Sequence, residues 1–516
     1  MAANFIECGR EQAFLMPPSL RDWVPEGHLV WTVLGAVEGM DLSDFYADYR
    51  VDGHGRPAYD PGMMVVLLLY AYARGNRSSR GIERECEEDV AYRVICANHV
   101  PDHSTIAEFR RRHETALAEL FTSVLSLCRK AGLVRVGVVA IDGTKIAANA
   151  SRAANRGYEQ IAREILAEAA ETDRREDELY GEARGDELPE RLRTSAGRRA
   201  ALREAKEELE RERATEHDAK AQIEAPEAVA IELDPARFVT RAHGRRAWLR
   251  EGRRALEERR ASEARPVPRS RSERLAESAR RLEEELVVER QANAAYEAWR
   301  ERGVARDGTR RMAPGSGKPY RPPRLPAGTI NTTDPDSRLV KTVGQRAVQG
   351  YNAQAAVNEH QIVVAAEVTV ESPDFGHLEP MVDATERELA RAGVESPGVV
   401  IADAGYWHTR QMENVVGRGI QVLIPPDSGL RTSARPGWDG GPYAFMRRVL
   451  ATDRGKALYR KRHATIEPVF GQLKFNRRLD RFLRRGRSAV RSEWRLFGAS
   501  HNLLKLHNHR TAAAAA

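Results

Sequence analysis

Two apolar runs in this chain end on a carboxylate: Val-Val-Ala-Ile-Asp at 138–142 and Val-Val-Ile-Ala-Asp at 399–403. β-branched runs of this length suit buried strands, and a buried strand tip carries a charge only where something compensates it. In an open α/β sheet, functional groups collect at the carboxyl ends of strands. If the two strands are neighbours, Asp142 and Asp403 meet. Two like charges at one place repel, so either one protonates or a cation sits between them. A divalent magnesium or manganese ion is the hard cation that oxygen donors favour. A single Asp at a strand end is most simply a turn former or a helix cap; two such ends make that reading weaker.

The long stretch between these aspartates does not continue the sheet pattern at once. From about 152 to 310 Arg, Glu and Ala dominate, as in RRAALREAKEELERERATEHDAK, which suggests a helical insertion of long, charged, solvent-bathed helices, such as a hairpin. Leu275, Ala279, Leu282 and Leu286 keep a heptad step that Glu289 and Asn293 break. Residues 303–335, rich in Gly, Pro and Arg, read as a flexible linker. Order resumes with Tyr351 to Val357 and Gln361 to Val370 as a hairpin turned at Asn358-Glu359-His360. A helix (LEPMVDATERELARAG), the Asp403 strand, a second helix (TRQMENVVGRG), the strand QVLIPP and a helix from about Thr452 follow.

The N-terminal 130 residues read as helical. Asp60-Pro61-Gly62 precedes the apolar run from Met63 to Tyr72, and a capping box of Thr105 and Glu108 opens another helix after Pro101. Its apolar face runs Ile106, Phe109, Ala116, Leu120, Val124 and Leu127. Arg110, Arg111 and Arg112 near its start suit entry into a DNA groove, or equally a plain helical bundle or dimer face. The longest apolar run, Met63 to Ala73, is too short to span a bilayer. The N-terminal residues MAANFIECGREQ lack a signal pattern, so a cytoplasmic protein is expected. Cys8, Cys86, Cys96 and Cys128 form no CxxC pair and suggest neither a zinc knuckle nor a disulfide framework.

The net charge of the 516 residues is +7. Between Lys474 and Arg495 stand nine basic residues and two acids, enough to account for that whole excess. Basic charge concentrated on an otherwise balanced chain points to a polyanion. A third carboxylate, Glu467, sits just ahead of it. On a helix Arg460, His463, Glu467, Gly471 and Lys474 share one line at steps of three and four.

Asp142, Asp403 and Glu467, with Lys474 seven residues beyond the glutamate, resemble the DDE transposases of bacterial insertion sequences. The Y-x2-R, E-x6-K signature of one branch is matched by Tyr459, Arg462, Glu467 and Lys474. That signature has three residues between Arg and Glu where this chain has four, which leaves Arg462 or His463 for the arginine's role. TDPDSR, GYNAQAAVNEHQIVV, IADAGYW, EPVFGQLK and HNLLKLHNH look like the same branch.

The resemblance implies an α/β fold with an RNase H-like mixed sheet flanked by helices. It implies an N-terminal helical, DNA-binding domain (1–130) and a catalytic domain split into 131–151 and 336–510. The charged helical insertion and linker (152–335) lie after the first strand. It also implies two Mg2+ or Mn2+ ions on Asp142, Asp403 and Glu467. Tyr459, Arg462, His463, Lys474, Arg477, Arg478, Arg481, Arg110 and Arg111 are expected on DNA, with Arg484 and Arg485 extending the contact. The partners implied are the element's terminal repeats, target DNA and a second subunit, in a bacterial, nucleoid-associated setting. The expected function is cleavage at the element's ends and transfer of the freed 3′-hydroxyl. The alternatives are an RNase H-like nuclease that does not join strands and a silent DNA-binding descendant. Asp334 and Asp336 are rival carboxylates, and His408 is expected to be structural or to face DNA.

Overall fold

A computed structural model describes residues 19–49, 58–180, 233, 244–263, 267–302, 323–341, 347–427 and 440–515. Its strands, in chain order, are β1 (Val138–Ala147), β2 (Asn155–Gly157), β3 (Thr329–Asn331), β4 (Arg338–Val340), β5 (Val348–Asn358), β6 (Val363–Thr369), β7 (Val399–Ile401) and β8 (Gln421–Leu423). The chain divides into two units, Met1–Asn149 with Leu339–Ala516, and Ala150–Arg338.

The first unit holds a mixed sheet in the order β4-β5-β1-β7-β8, with β6 also paired to β5. β1 runs antiparallel to β5 along its length and parallel to β7 from Val138↔Val399 to Ala140↔Ile401. The hairpin turn expected at Asn358 is present and has a clear cause. The Asn358 carboxamide oxygen accepts the N–H groups of His360 (3.1 Å) and Ile362 (3.0 Å). Its amide donates to the Leu133 and Arg135 carbonyls ahead of β1.

The N-terminal helices pack in the same unit. The Pro61–Ala73 helix starts on an Asp60 cap and is buried from Met64 to Ala73 on every side, as a helix apolar all round must be. The C-terminal Arg487–Ala515 helix packs against it, against the Glu114–Lys130 helix and against β6. Fully buried Arg495 locks that helix in place. Its Nη1 donates to Glu388 Oε1 (2.9 Å), and its Nε donates to the Ala118 carbonyl (2.8 Å). Cys86, Cys96 and Cys128 are buried and free.

The second unit contains the Tyr158–Tyr180, Arg245–Glu263 and Arg271–Arg302 helices and the β2–β3 ribbon. These helices are less bathed in solvent than their composition suggests. Leu275 and Leu282 of the heptad step are buried with Ile161 and Ile330, and Leu256 packs on Val288. The RRAALREAKEELERERATEHDAK stretch and most of the linker expected at 303–335 lie outside the described residues.

Three local expectations are corrected. Helix His103–Arg112 is capped by Asp102, whose Oδ1 accepts the N–H groups of Ser104 and Thr105 (both 2.9 Å), not by a Thr105–Glu108 box. The apolar face that follows belongs to two helices. They part at His113, which is buried between Phe109 and Phe45. The helix from Thr452 also breaks. It ends at Thr465 and resumes at Glu467, because Pro468 has no N–H to give the Ala464 carbonyl. That carbonyl instead accepts the Gln361 amide (2.9 Å).

Candidate active site

Asp142 does not stand at the tip of β1, which continues to Ala147. It stands where β1 outruns β7. Ala140 pairs with Ile401, and two residues further along each parallel chain come Asp142 and Asp403. A step of two from the last paired residues points both toward one face of the sheet, and the charge of Asp403 acts on Asp142. Asp403 Oδ1 caps the turn Ala404–Tyr406 by accepting the Gly405 N–H (2.8 Å). Asp142 Oδ1 accepts the Gly143 N–H (2.8 Å).

Arg462 joins the first aspartate to the glutamate. Its Nη2 donates to Asp142 Oδ2 at 2.8 Å, and its Nη1 lies 3.5 Å from Glu467 Oε1. His463 Nδ1 is 2.6 Å from that same oxygen. Both contacts therefore fall on Oε1, and the phase that puts His463 one turn from Glu467 survives the break at Pro468. Of the two candidates for the signature arginine, Arg462 touches both carboxylates.

Electrostatics place the same groups together. Burial pushes the Asp142 carboxyl up to about 6; Asp403 and Asp374 add to the rise, while Arg462 and the Gly143 N–H oppose it. Burial pushes the half-buried Tyr459 phenol up, Arg462 pulls it down, and the charges of Asp403, Asp142 and Glu467 all raise it further. Burial lowers the Lys474 ammonium, as does nearby Lys145, while Asp142 opposes the fall.

Sequence reasoning missed Asp374. Its Oδ1 accepts from Lys145 Nζ, Asn352 Nδ2 and Gln354 Nε2, all at 2.9 Å. The phenol of buried Tyr406 donates to Gln354 Oε1. Asp374 follows β6 in a loop with no periodicity to mark it. The available signal lay on β5, where Asn352 and Gln354, two apart in a buried strand, form a polar stripe that needs partners. Gly143 fits this cluster because a Cβ there would run into Gln354 and Asp374.

The DNA-facing candidates scatter. Lys474 and Tyr459 are half-buried beside the carboxylates; His463, Arg478 and Arg481 are exposed; Arg477 is buried. Arg110 is buried among the N-terminal helices, with Nη1 donating to the Arg77 carbonyl (2.8 Å), which is not the exposed placement that a groove contact would need. Arg111 is exposed and paired with Glu108 (2.8 Å). Arg484 pairs with Glu114 (2.5 Å), and Arg485 donates to the Asn149 carbonyl (3.0 Å). Buried His408 caps the Thr409–Gly417 helix through Nδ1. Asp334 and Asp336 belong to the second unit, where Asp336 pairs with Arg281.

Among the described residues no three His, Cys, Asp or Glu side chains are arranged to hold one metal ion. The place between Asp142 and Glu467 is taken by the Arg462 guanidinium. The donor chemistry of Asp142 and Asp403 nevertheless fits a hard cation. Two carboxylates adjoin, and one of them is raised by burial in a way that added positive charge relieves.

Two family models match the chain. Residues 18–112 match a model described as "Transposase domain (DUF772)", and residues 441–507 match one described as "Transposase DDE domain". No curated protein and no solved structure matches. The two matches support an insertion-sequence DDE transposase. Among the described residues no helix is long and apolar enough to cross a membrane.

Proposed function

With transposase segments at both ends of the chain as the premise, we propose a divalent-metal-dependent DNA transposase built on an RNase H-like core. It cuts at the ends of a mobile element and transfers the freed 3′-hydroxyl into target DNA. The observation that carries this reading is the register that points Asp142 and Asp403 toward one face of the sheet, with Arg462 tying Asp142 to Glu467.

Asp142, Asp403 and Glu467 would hold the metal, magnesium or manganese, as two ions. When bound, it supplies a Lewis acid that lowers the pKa of the attacking water and stabilises the leaving oxygen. The chain's own residues do the rest. Arg462 holds Asp142 and Glu467 together across the break at Ile466. Lys474 and Tyr459 contact the phosphodiester next to the scissile bond. Asp374, through Lys145, Asn352 and Gln354, fixes the wall from which Asp142 projects. Arg478 and Arg481 contact the DNA backbone from the exposed face. Water attacks the phosphorus at the element's end, the P–O3′ bond breaks, and the 3′-oxygen takes a proton. In the second step that hydroxyl attacks a target phosphodiester in the same site, displacing a 3′-oxygen there. No covalent protein intermediate is needed. A homodimer would pair the two element ends.

The test uses labelled duplexes carrying the element's terminal repeats, with Mg2+ or Mn2+. The wild-type chain should cut and join. Asp142→Asn, Asp403→Asn and Glu467→Gln should each lose cutting while still binding the ends. Near-normal cutting by any one of them removes that residue from the assignment.

A further inference from the structure

We propose that a cavity behind Lys474, on the far side of the Gln472–Asn476 turn from the carboxylates, is a binding site for one phosphate group. The cavity holds about 370 Å³, enough for a phosphate with its neighbouring sugar. Arg74, Arg477 and Lys505 line it together with the neutral amides of Gln472, Asn476 and Asn508. No acid lines it.

Arg477 is the decisive residue. It is 5% exposed, and its Nη1 has no hydrogen-bond partner. A buried guanidinium without a counter-charge is costly, and such groups persist where an anion completes them. Burial alone moves it, lowering it to about 10 with no acid acting against the fall. Lys505 is lowered by burial and by Arg477; its Nζ is held by the neutral Gln361 oxygen (2.5 Å). His501 beneath them is pushed down to about 3, first by burial, then by Arg477. Positive charge thus gathers here without relief. Arg495, also buried, is by contrast set on the Glu388 carboxylate, whereas Arg477 forms no ion pair among the described residues.

The backbone holds this arrangement at a cost. The Gln472–Asn476 turn is π-helical, and Arg478 closes it at φ 53°, a left-handed conformation. Gly75, at φ 80°, lets the chain pass close against the Arg477 backbone; a Cβ there would lie 3.1 Å from the Arg477 Cα. Lys474, in the same turn, faces Asp142. One short element therefore presents Lys474 to the carboxylates and Arg477 to the cavity. We assign the phosphate to the backbone of the bound DNA, a few nucleotides from the scissile bond. That source, though not the anion site, rests on the transposase reading.

The full-length chain is tested as wild type, as Arg477→Met and as the double variant Arg74→Gln/Lys505→Gln, whose side chains are not interior. Two measurements are made: the melting temperature with and without inorganic phosphate at matched ionic strength, and binding of end DNA by anisotropy over a salt series. Phosphate should raise the melting temperature of wild type and not of either variant. Without phosphate, Arg477→Met should melt at or above wild type, because an unpaired buried charge is gone. Both variants should bind DNA about tenfold more weakly, with a salt slope shallower by about one for each DNA phosphate they no longer hold. A phosphate response with unchanged DNA binding supports the anion site and gives it to free phosphate instead. Wild-type DNA binding and no phosphate response in wild type overturn the proposal, as does a lower melting temperature for Arg477→Met with both responses intact. Loss of cutting by Asp142→Asn is read separately, so failure here leaves the catalytic reading standing.

Discussion

Charge is dense in two regions of this molecule, and they use it in opposite ways. In the Arg245–Glu263 and Arg271–Arg302 helices, arginines meet acids of their own unit. Arg260 reaches Glu257 (3.0 Å), Glu284 (2.9 Å) and Glu285 (3.3 Å), and Arg338 reaches Glu257 and Glu285 (both 3.1 Å). Between Lys474 and Arg495 the pattern splits. Arg484, Arg491 and Arg495 are consumed by Glu114, Glu367 and Glu388. Arg477, Arg478 and Arg481 form no ion pair among the described residues, and Lys474 meets an acid only through the charge of Asp142. Satisfied charge holds helices in register; unsatisfied charge beside a carboxylate pair is where a polyanion completes the structure.

The sharpest break in that comparison is at the carboxylates. Removing the charge of Asp142, Asp403 or Glu467 should take DNA cutting to background, whereas neutralising a paired acid such as Glu284 should leave it unchanged. A gel assay of labelled end DNA reads both, and equal effects would dissolve the distinction. The next largest effect is on stability. Glu388→Gln leaves fully buried Arg495 with only the more distant Glu367 carboxylate (3.8 Å) and should cost about 3 kcal/mol in denaturant unfolding. Burial pushes the Glu388 carboxyl up, but Arg495 and Thr122 pull it down by more, so the net shift is downward. A depressed carboxyl stabilises the fold above its unfolded pKa and loses that contribution as pH falls through the folded one. The wild type should therefore lose more stability than Glu388→Gln on acidification below the ordinary carboxylate range.

That hierarchy was only partly legible in the chain. Asp142, Asp403 and Glu467 were visible because strand ends and a helical line at steps of three and four are local patterns. The β5–β6 hairpin was visible through its period of two and the Asn358 turn. What a local pattern does not carry is the partner across space. Arg110 sits among arginines of a helix and read as a surface group until the Arg77 carbonyl claimed it. Arg484 and Arg495 counted toward a basic stretch because their acids lie more than a hundred residues away. Asp374 was missed because its Lys145, Asn352 and Gln354 partners come from two strands. The overrun of β1 past Asp142 follows from pairing with β5, which no reading of residues 138–147 alone contains.

The smallest effects test the comparison on the surface. Arg259 is paired with Glu263 at 3.0 Å, one turn apart on an exposed helix. Arg478 and Arg481 are more accessible than half-buried Arg259 and have no such acid. Arg259→Gln should change stability by no more than about 0.5 kcal/mol, as exposed pairs do, and should leave DNA affinity and its salt slope untouched. Arg478→Gln and Arg481→Gln should be as mild for stability, yet each should lower the salt slope of DNA binding by about one. The substitution is chemically the same at all three positions, and the internal carboxylate at Arg259 is the difference the comparison tests. If Arg259→Gln weakens DNA binding as much as Arg478→Gln, the DNA reads net charge and not the unpaired arginines. Charge pairing would then carry no information about where the nucleic acid lies.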